Sequence, residues 1–155
     1  DKNTDVGAIN SPRQKAKIDQ LVASGADEGA HVWRSSCPVP ERGWYVSPTI
    51  LTRTAGSMRV VREEIFGPVL TVETFRTPDE AVAKANNTPY GLSAGVWTEK
   101  GSRAMAMAGA LRGGVVWDNT FNRFDPAAAF GGYKESGIGR EGGPTGMAAY
   151  LEEQF

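Results

Sequence analysis

The sequence contains one cysteine and one histidine among its 155 residues. A single thiol excludes an internal disulfide and any CxxC metal or redox pair, so a reducing compartment, the cytoplasm, is expected. A lone imidazole has no second histidine with which to build a metal cluster or an acid–base pair. His31 therefore reads as a structural or surface residue, and no metal is expected. No apolar run approaches the roughly 18 residues of a membrane span, and no signal-peptide core opens the chain. Charge of one sign is also missing: 17 Lys and Arg stand against 18 Asp and Glu, so no strong field draws in nucleic acid or an anionic membrane. Asp1-Lys2-Asn3-Thr4 lacks an initiator Met, which raises the expectation of a processed or excised piece.

What is present is an ordinary globular composition with 40% hydrophobic residues and an excess of glycine, 19 in all, so many turns are tight. A chain of this length buries roughly 70% of its unfolded surface and forms one domain or part of a larger one. Ser11-Pro12, followed by Ile18, Leu21 and Val22 at helical spacing, predicts a helix over about 11–24 that stops at Gly25. His31–Trp33 and Tyr45–Leu51 read as strands, with a proline-containing loop over 35–42 between them. Pro68–Phe75, β-branched and partly alternating, predicts the clearest strand.

Thr77-Pro78-Asp79-Glu80 is a strong helix start, with Thr as N-cap and Pro at N1. Leu92–Thr98 reads as a strand, and the Ala- and Met-rich stretch over 102–111 as a buried helix. Val115–Trp117 reads as a short buried strand turning polar at Asp118 and Asn119. A long loop over 121–143 and a last helix over 145–153 follow. Strands alternating with helices imply an α/β fold, a mainly parallel sheet with flanking helices. No internal repeat or low-complexity segment is present.

Several segments carry candidate chemistry. Gly137-Ile138-Gly139-Arg140-Glu141-Gly142 matches GxGxxG, which cradles a pyrophosphate only between a strand and a helix, with an acidic residue about 20 positions on. That context is missing, and no GxxxxGK precedes Lys134. Cys37, in Ser35-Ser36-Cys37-Pro38, has no nearby base to generate a thiolate and reads as a passive loop residue. Glu63-Glu64-Ile65-Phe66-Gly67-Pro68 is more distinctive. Gly-Pro fixes a sharp turn, and one carboxylate mounted there can accept hydrogen bonds from vicinal hydroxyls. A solvated helix-end charge pair explains the same residues. Phe121, Phe124, Phe130 and Tyr133 either wall an apolar pocket or anchor the long loop.

Glu63–Pro68, then Ala85-Asn86-Asn87-Thr88-Pro89-Tyr90-Gly91-Leu92, then Phe130-Gly131-Gly132-Tyr133-Lys134 with Ser136-Gly137-Ile138-Gly139-Arg140-Glu141, resemble the aldehyde dehydrogenase superfamily in motif, order and spacing. Asp5–Ile9 ahead of the first helix and Gly25–Ala30 behind it agree less sharply. The resemblance covers nearly the whole chain. It implies that Glu64 binds the nicotinamide-side ribose hydroxyls of NAD or NADP and that Phe66 packs beside the nicotinamide.

On the substrate side the resemblance implies that Asn119 closes the strand before the substrate loop and that Phe124 and Phe130 line an aldehyde tunnel. Thr120–Arg123 would set the size and polarity of its mouth, which Asn122 and Arg123 make more polar. Ala129 stands where the family commonly has Pro, and Asp118 where it has an apolar residue. The family's catalytic Cys, general-base Glu, oxyanion-binding Asn and ADP-binding Gly-rich segment all match nothing in these 155 residues. Cys37 does not fit the nucleophile's motif, so no catalytic residue is assigned.

The expectation is therefore a partial catalytic domain over 1–155, lacking the nucleophile segment and the N-terminal cofactor domain and inactive by itself. It belongs to an enzyme that oxidises a small-molecule aldehyde to a carboxylic acid and forms a homo-oligomer. In the family's chemistry a thiolate adds to the aldehyde, hydride leaves for the nicotinamide, and water hydrolyses the thioester. A noncatalytic pseudoenzyme or scaffold module, one half of a split enzyme, and an unrelated nucleotide-binding domain using Gly137–Gly142 are the alternatives.

Overall fold

The structure, a computed structural model, describes residues 4–152. They fall into two compact units, the first running to Thr74 and the second starting at Phe75. Among the described residues no helix is long and apolar enough to cross a membrane.

The first unit opens with helix α1 (Pro12–Asp27). The Ser11 hydroxyl accepts the Gln14 N–H at 3.1 Å, a cap that contributes about 1 kcal/mol, and Pro12 follows at the first helical position. The helix outruns its expected stop. Gly25 lies inside it because a Cβ there would meet Leu51 Cδ2 at 2.6 Å and Val60 Cγ1 at 3.0 Å. This glycine permits a close approach, and the left-handed residue that ends the turn is Gly29, at φ 99°.

Strand β1 (His31–Arg34) pairs antiparallel with β2 (Thr49–Thr52), and β2 pairs parallel with β3 (Val69–Thr71), Thr49 standing opposite Val69. Between β2 and β3 lies a one-turn helix, α2 (Arg59–Arg62), which sequence periodicity does not reveal. The strands are shorter than expected over 45–51 and 68–75. Pro48 has no N–H to donate. Beyond Thr52 the chain leaves the sheet through Arg53, at φ 57°, so β3 loses its neighbour β2 after Val72 donates to the Leu51 carbonyl at 2.9 Å. Ile18, Leu21 and Val22 of α1 pack with Ala30, Leu51, Val60 and Ile65 to make the core of this unit.

The second unit begins with α3 (Pro78–Asn86), whose Thr77 hydroxyl accepts the Glu80 N–H at 3.2 Å. The Glu80 carboxylate reaches back one residue beyond the cap, to the Arg76 N–H at 2.9 Å. β4 (Tyr90–Gly91) is followed by β5 (Ser93–Val96), α4 (Gly101–Ala110) and β6 (Val115–Asp118). β5 and β6 run parallel, Ser93 opposite Val115 and Val96 opposite Asp118, and α4 is the crossover between them. β7 (Tyr133–Lys134) pairs antiparallel with β4, and α5 (Gly143–Ala148) comes last.

The fold class is α/β as expected, with parallel and antiparallel pairs in small sheets. The expected burial of α4 is not found: only Ala104 is buried, and Met105 is 76% exposed. Ala and Met favour helix whichever way they face, so composition identified the element and not its surroundings. α5 starts two residues before its expected range, at Gly143, and the Glu153 end of that range lies outside the described residues.

Candidate functional site

In the first unit the segment 63–68 separates its two carboxylates. Glu63 caps the C-terminus of α2, and its carboxylate accepts from Arg59 Nε at 2.6 Å and Nη2 at 3.3 Å. That bond holds the Glu63 carboxyl below the ordinary carboxylate range and raises the Arg59 guanidinium. Glu63 is the helix-end charge pair. Glu64 stands on the turn that follows and is exposed.

The backbone of this turn is clamped from α1. Gln14 Nε2 donates to the Ile65 carbonyl at 2.8 Å and to the Phe66 carbonyl at 3.2 Å, and Lys17 Nζ donates to the Glu64 carbonyl at 2.9 Å. Ile65 is buried in the core. Phe66 sits at φ 55°, a left-handed conformation that costs of order 1 kcal/mol for a bulky residue and persists only where its surroundings overdetermine it. Gly67 completes the constraint, since a Cβ there would fall inside the fully buried Ile18 side chain. The turn therefore displays the Glu64 carboxylate and the Phe66 ring, 71% exposed, on a backbone fixed by neighbours on α1. Gln14, Lys17 and Ile18 were not legible as members of this site. Their only trace in sequence is one helix face at i, i+3 and i+4.

In the second unit the loop after β6 carries a line of rings. Trp117 is 7% exposed and meets Phe121 and Phe124 edge-on, at 4.7 and 5.5 Å between centroids. Phe121 also meets Trp97 at 6.4 Å, and Phe124 meets Phe130 at 5.1 Å. The structure thus brings Phe124 and Phe130 together, and it adds Trp97 and Trp117, which follow or fall within the parallel strands β5 and β6. Tyr133 belongs elsewhere: the Arg140 guanidinium lies 4.6 Å from its ring centre. Asn119, at φ 51°, engages Thr98 with its side-chain amide, accepting the Thr98 N–H and donating to the Thr98 carbonyl, both at 2.9 Å.

The remaining motifs have structural work. Arg140 Nη1 donates to the carbonyls of Gly132, Ile138 and Gly139 at 2.7, 3.2 and 2.9 Å. A guanidinium thus binds the Ile138 and Gly139 carbonyls of the glycine loop 137–142, where an anion cradle needs N–H groups. Lys134 Nζ donates to the carbonyls of Asn86 and Thr88, both at 3.0 Å, and caps the end of α3. Cys37 is exposed in its loop, its N–H donating to Ser35 Oγ at 3.2 Å. His31 is an exposed residue of β1. Among the described residues no three His, Cys, Asp or Glu side chains group to hold a metal.

The sequence model of the aldehyde dehydrogenase family matches residues 1–155. An aldehyde dehydrogenase of Enchytraeus buchholzi is 45% identical over 139 residues, which cover 90% of this chain and 28% of that protein. The betaine aldehyde dehydrogenase of Bacillus subtilis is 40% identical over 153 residues, covering 96% and 31%. The crystal structure of the betaine aldehyde dehydrogenase of Staphylococcus aureus in complex with NAD+ superposes with a TM-score of 0.93 at 38% identity, over 98% of this chain and 31% of that one. The chain spans about a third of the length of these relatives.

Proposed function

The chain belongs to the aldehyde dehydrogenase family, and from that premise we propose that residues 1–155 form part of the catalytic domain of an enzyme that oxidises a small-molecule aldehyde to a carboxylic acid with NAD or NADP. The observation that carries this reading is the clamped turn 63–68, which presents an exposed carboxylate and an exposed ring two residues apart on a fixed backbone.

Those residues suit a nicotinamide riboside. A carboxylate accepts hydrogen bonds from both hydroxyls of a ribose, bonds worth roughly 1.5–3 kcal/mol each. An aromatic ring offers a flat apolar partner to the base. Glu64 is assigned to the ribose and Phe66 to the nicotinamide side. When bound, NAD(P) supplies the acceptor for the aldehyde's hydride. Glu64 and Phe66 orient that acceptor, and the Gln14, Lys17 and Ile18 contacts keep them from shifting, which matters because near-attack geometry controls much of the barrier. On the aldehyde side Phe124 and Phe130 provide apolar wall and Asn119 belongs to the frame of the same loop. Asn122 and Arg123 add polarity beside it.

The nucleophile is assigned to sequence other than these 155 residues. Cys37 lies exposed in a loop, its N–H donating to Ser35 Oγ, and the residues around it in sequence, Ser35-Ser36-Cys37-Pro38, do not fit the family's nucleophile motif. The test is aldehyde-dependent NAD(P)H formation by the intact enzyme, which Cys37→Ser should leave unchanged, and by the isolated 155-residue chain, which should show none. NADH formation by the isolated chain that disappears in Cys37→Ser would overturn the reading.

A further inference from the structure

Asn119 is joined to the segment that leaves β5 at two levels. Its backbone N–H donates to the Val96 carbonyl at 2.8 Å, and its side-chain amide exchanges two hydrogen bonds with the backbone of Thr98. β5 and β6 end as a parallel pair at Val96 and Asp118. The Asn119 amide thus acts as one more peptide rung beyond the last backbone pair. Trp97 is the residue between the two points of attachment, and its ring meets Phe121, two residues past Asn119. Phe121 then meets Trp117, which meets Phe124, which meets Phe130.

Both amide atoms are satisfied by Thr98, and few side chains can replace this one. The left-handed φ favours Gly, Asn and Asp, and only Asn among them offers a donor and an acceptor together. We propose that Asn119 is a positioning residue for the aldehyde wall, acting through Thr98 and Trp97 on the row of rings and not by touching the aldehyde. The inference rests on the functional reading above, because it takes Phe124 and Phe130 as part of that wall.

Two variants of the intact enzyme test it. Asn119→Gly keeps the backbone conformation and removes the clasp. Asn119→Asp keeps the acceptor for the Thr98 N–H and loses the donor. In Asn119→Gly the KM for benzaldehyde should rise about tenfold, the size of effect one displaced aromatic contact carries. The KM for acetaldehyde and for the cofactor should move less than about twofold, well short of the effect of a displaced contact. Asn119→Asp should recover part of the discrimination. Hydrogen exchange at the Thr98 amide should quicken in Asn119→Gly and stay slow in Asn119→Asp.

A kcat that falls equally on both aldehydes with unchanged KM values would make Asn119 a direct contact of the reacting group and overturn the proposal. So would kinetics indistinguishable from wild type. If the wild-type enzyme forms no NAD(P)H with these or any other aldehyde, the functional reading fails on its own. Thr98 exchange then still decides the clasp, and unaltered exchange in Asn119→Gly overturns it.

Discussion

The turn over 63–68 and the ring-bearing loop after β6 are held by opposite means. At the turn the backbone is fixed and the side chains are displayed: three carbonyls are bound from α1, Gly67 is pressed against Ile18, and Glu64 and Phe66 face outward. In the loop the side chains meet one another, ring edge to ring face, beside backbone ties such as the Phe130–Glu141 bridge. On the proposed reading, a carboxylate that meets two hydroxyls at fixed spacing needs the first arrangement, since hydrogen bonds weaken steeply with angle. An apolar wall tolerates small rearrangements of its rings and is served by the second. The difference predicts that damage spreads in the loop and stays local at the turn.

The largest effect should come from the backing of the loop. A Cβ at Gly114 would fall on the carbonyl oxygen of Gly131, and main chain cannot yield as a side chain does. Gly114→Ala should lower stability by about 3 kcal/mol or more, read as a shift of the denaturant midpoint. An unchanged midpoint would show that the loop is not packed against Gly114, just ahead of β6. Next in size, Phe124→Ala removes the edge-on contacts with Trp117 and Phe130. Because the ring is 60% exposed, the loss should be about 2 kcal/mol, accompanied by a change in near-ultraviolet circular dichroism from Trp117. A change in stability without that spectral change would separate Phe124 from the ring row.

Gln14→Ala should cost less, about 1 kcal/mol for two neutral bonds, one part-buried and one exposed. It should weaken cofactor use while leaving aldehyde KM values alone. The smallest effect is on pH. Glu63, bound by Arg59, and Glu80, bound by the Arg76 N–H, both titrate below the ordinary carboxylate range in the folded chain. Groups with depressed folded pKa values stabilise above their unfolded pKa, and the contribution is lost as pH falls through the folded value. Thermal unfolding should therefore move to lower temperature as pH drops below the ordinary carboxylate pKa, less so in Glu63→Gln. A wild-type transition unaffected by that acidification would contradict the assignment.

Local chemistry was readable wherever it acts over a few residues. Ser11-Pro12 and Thr77-Pro78 mark the starts of α1 and α3 because a cap and a proline are decided within one turn. Motifs that lie far apart, from Glu63–Pro68 to Phe130–Glu141, together pointed to the family. Features decided by distant partners were not readable. Gly25 reads as a stop until Leu51 and Val60 are seen beside it, and β3 reads as eight residues until β2 is seen to turn away at Arg53. The pairing of Glu63 with Arg59 resolves two adjacent carboxylates that composition treats alike. Trp97 joined the ring row only through the parallel pairing of β5 with β6, and the Asn119 clasp depends on that same pairing.

The claim that the turn is a cofactor mount is tested most directly by single-turnover hydride transfer in the Glu64→Gln variant of the intact enzyme, measured beside the dissociation constant for NAD+. A carboxylate that orients the nicotinamide predicts a hydride-transfer rate lowered by about tenfold or more with NAD+ affinity changed much less. A hydride-transfer rate equal to that of wild type would contradict the account, whatever the affinity.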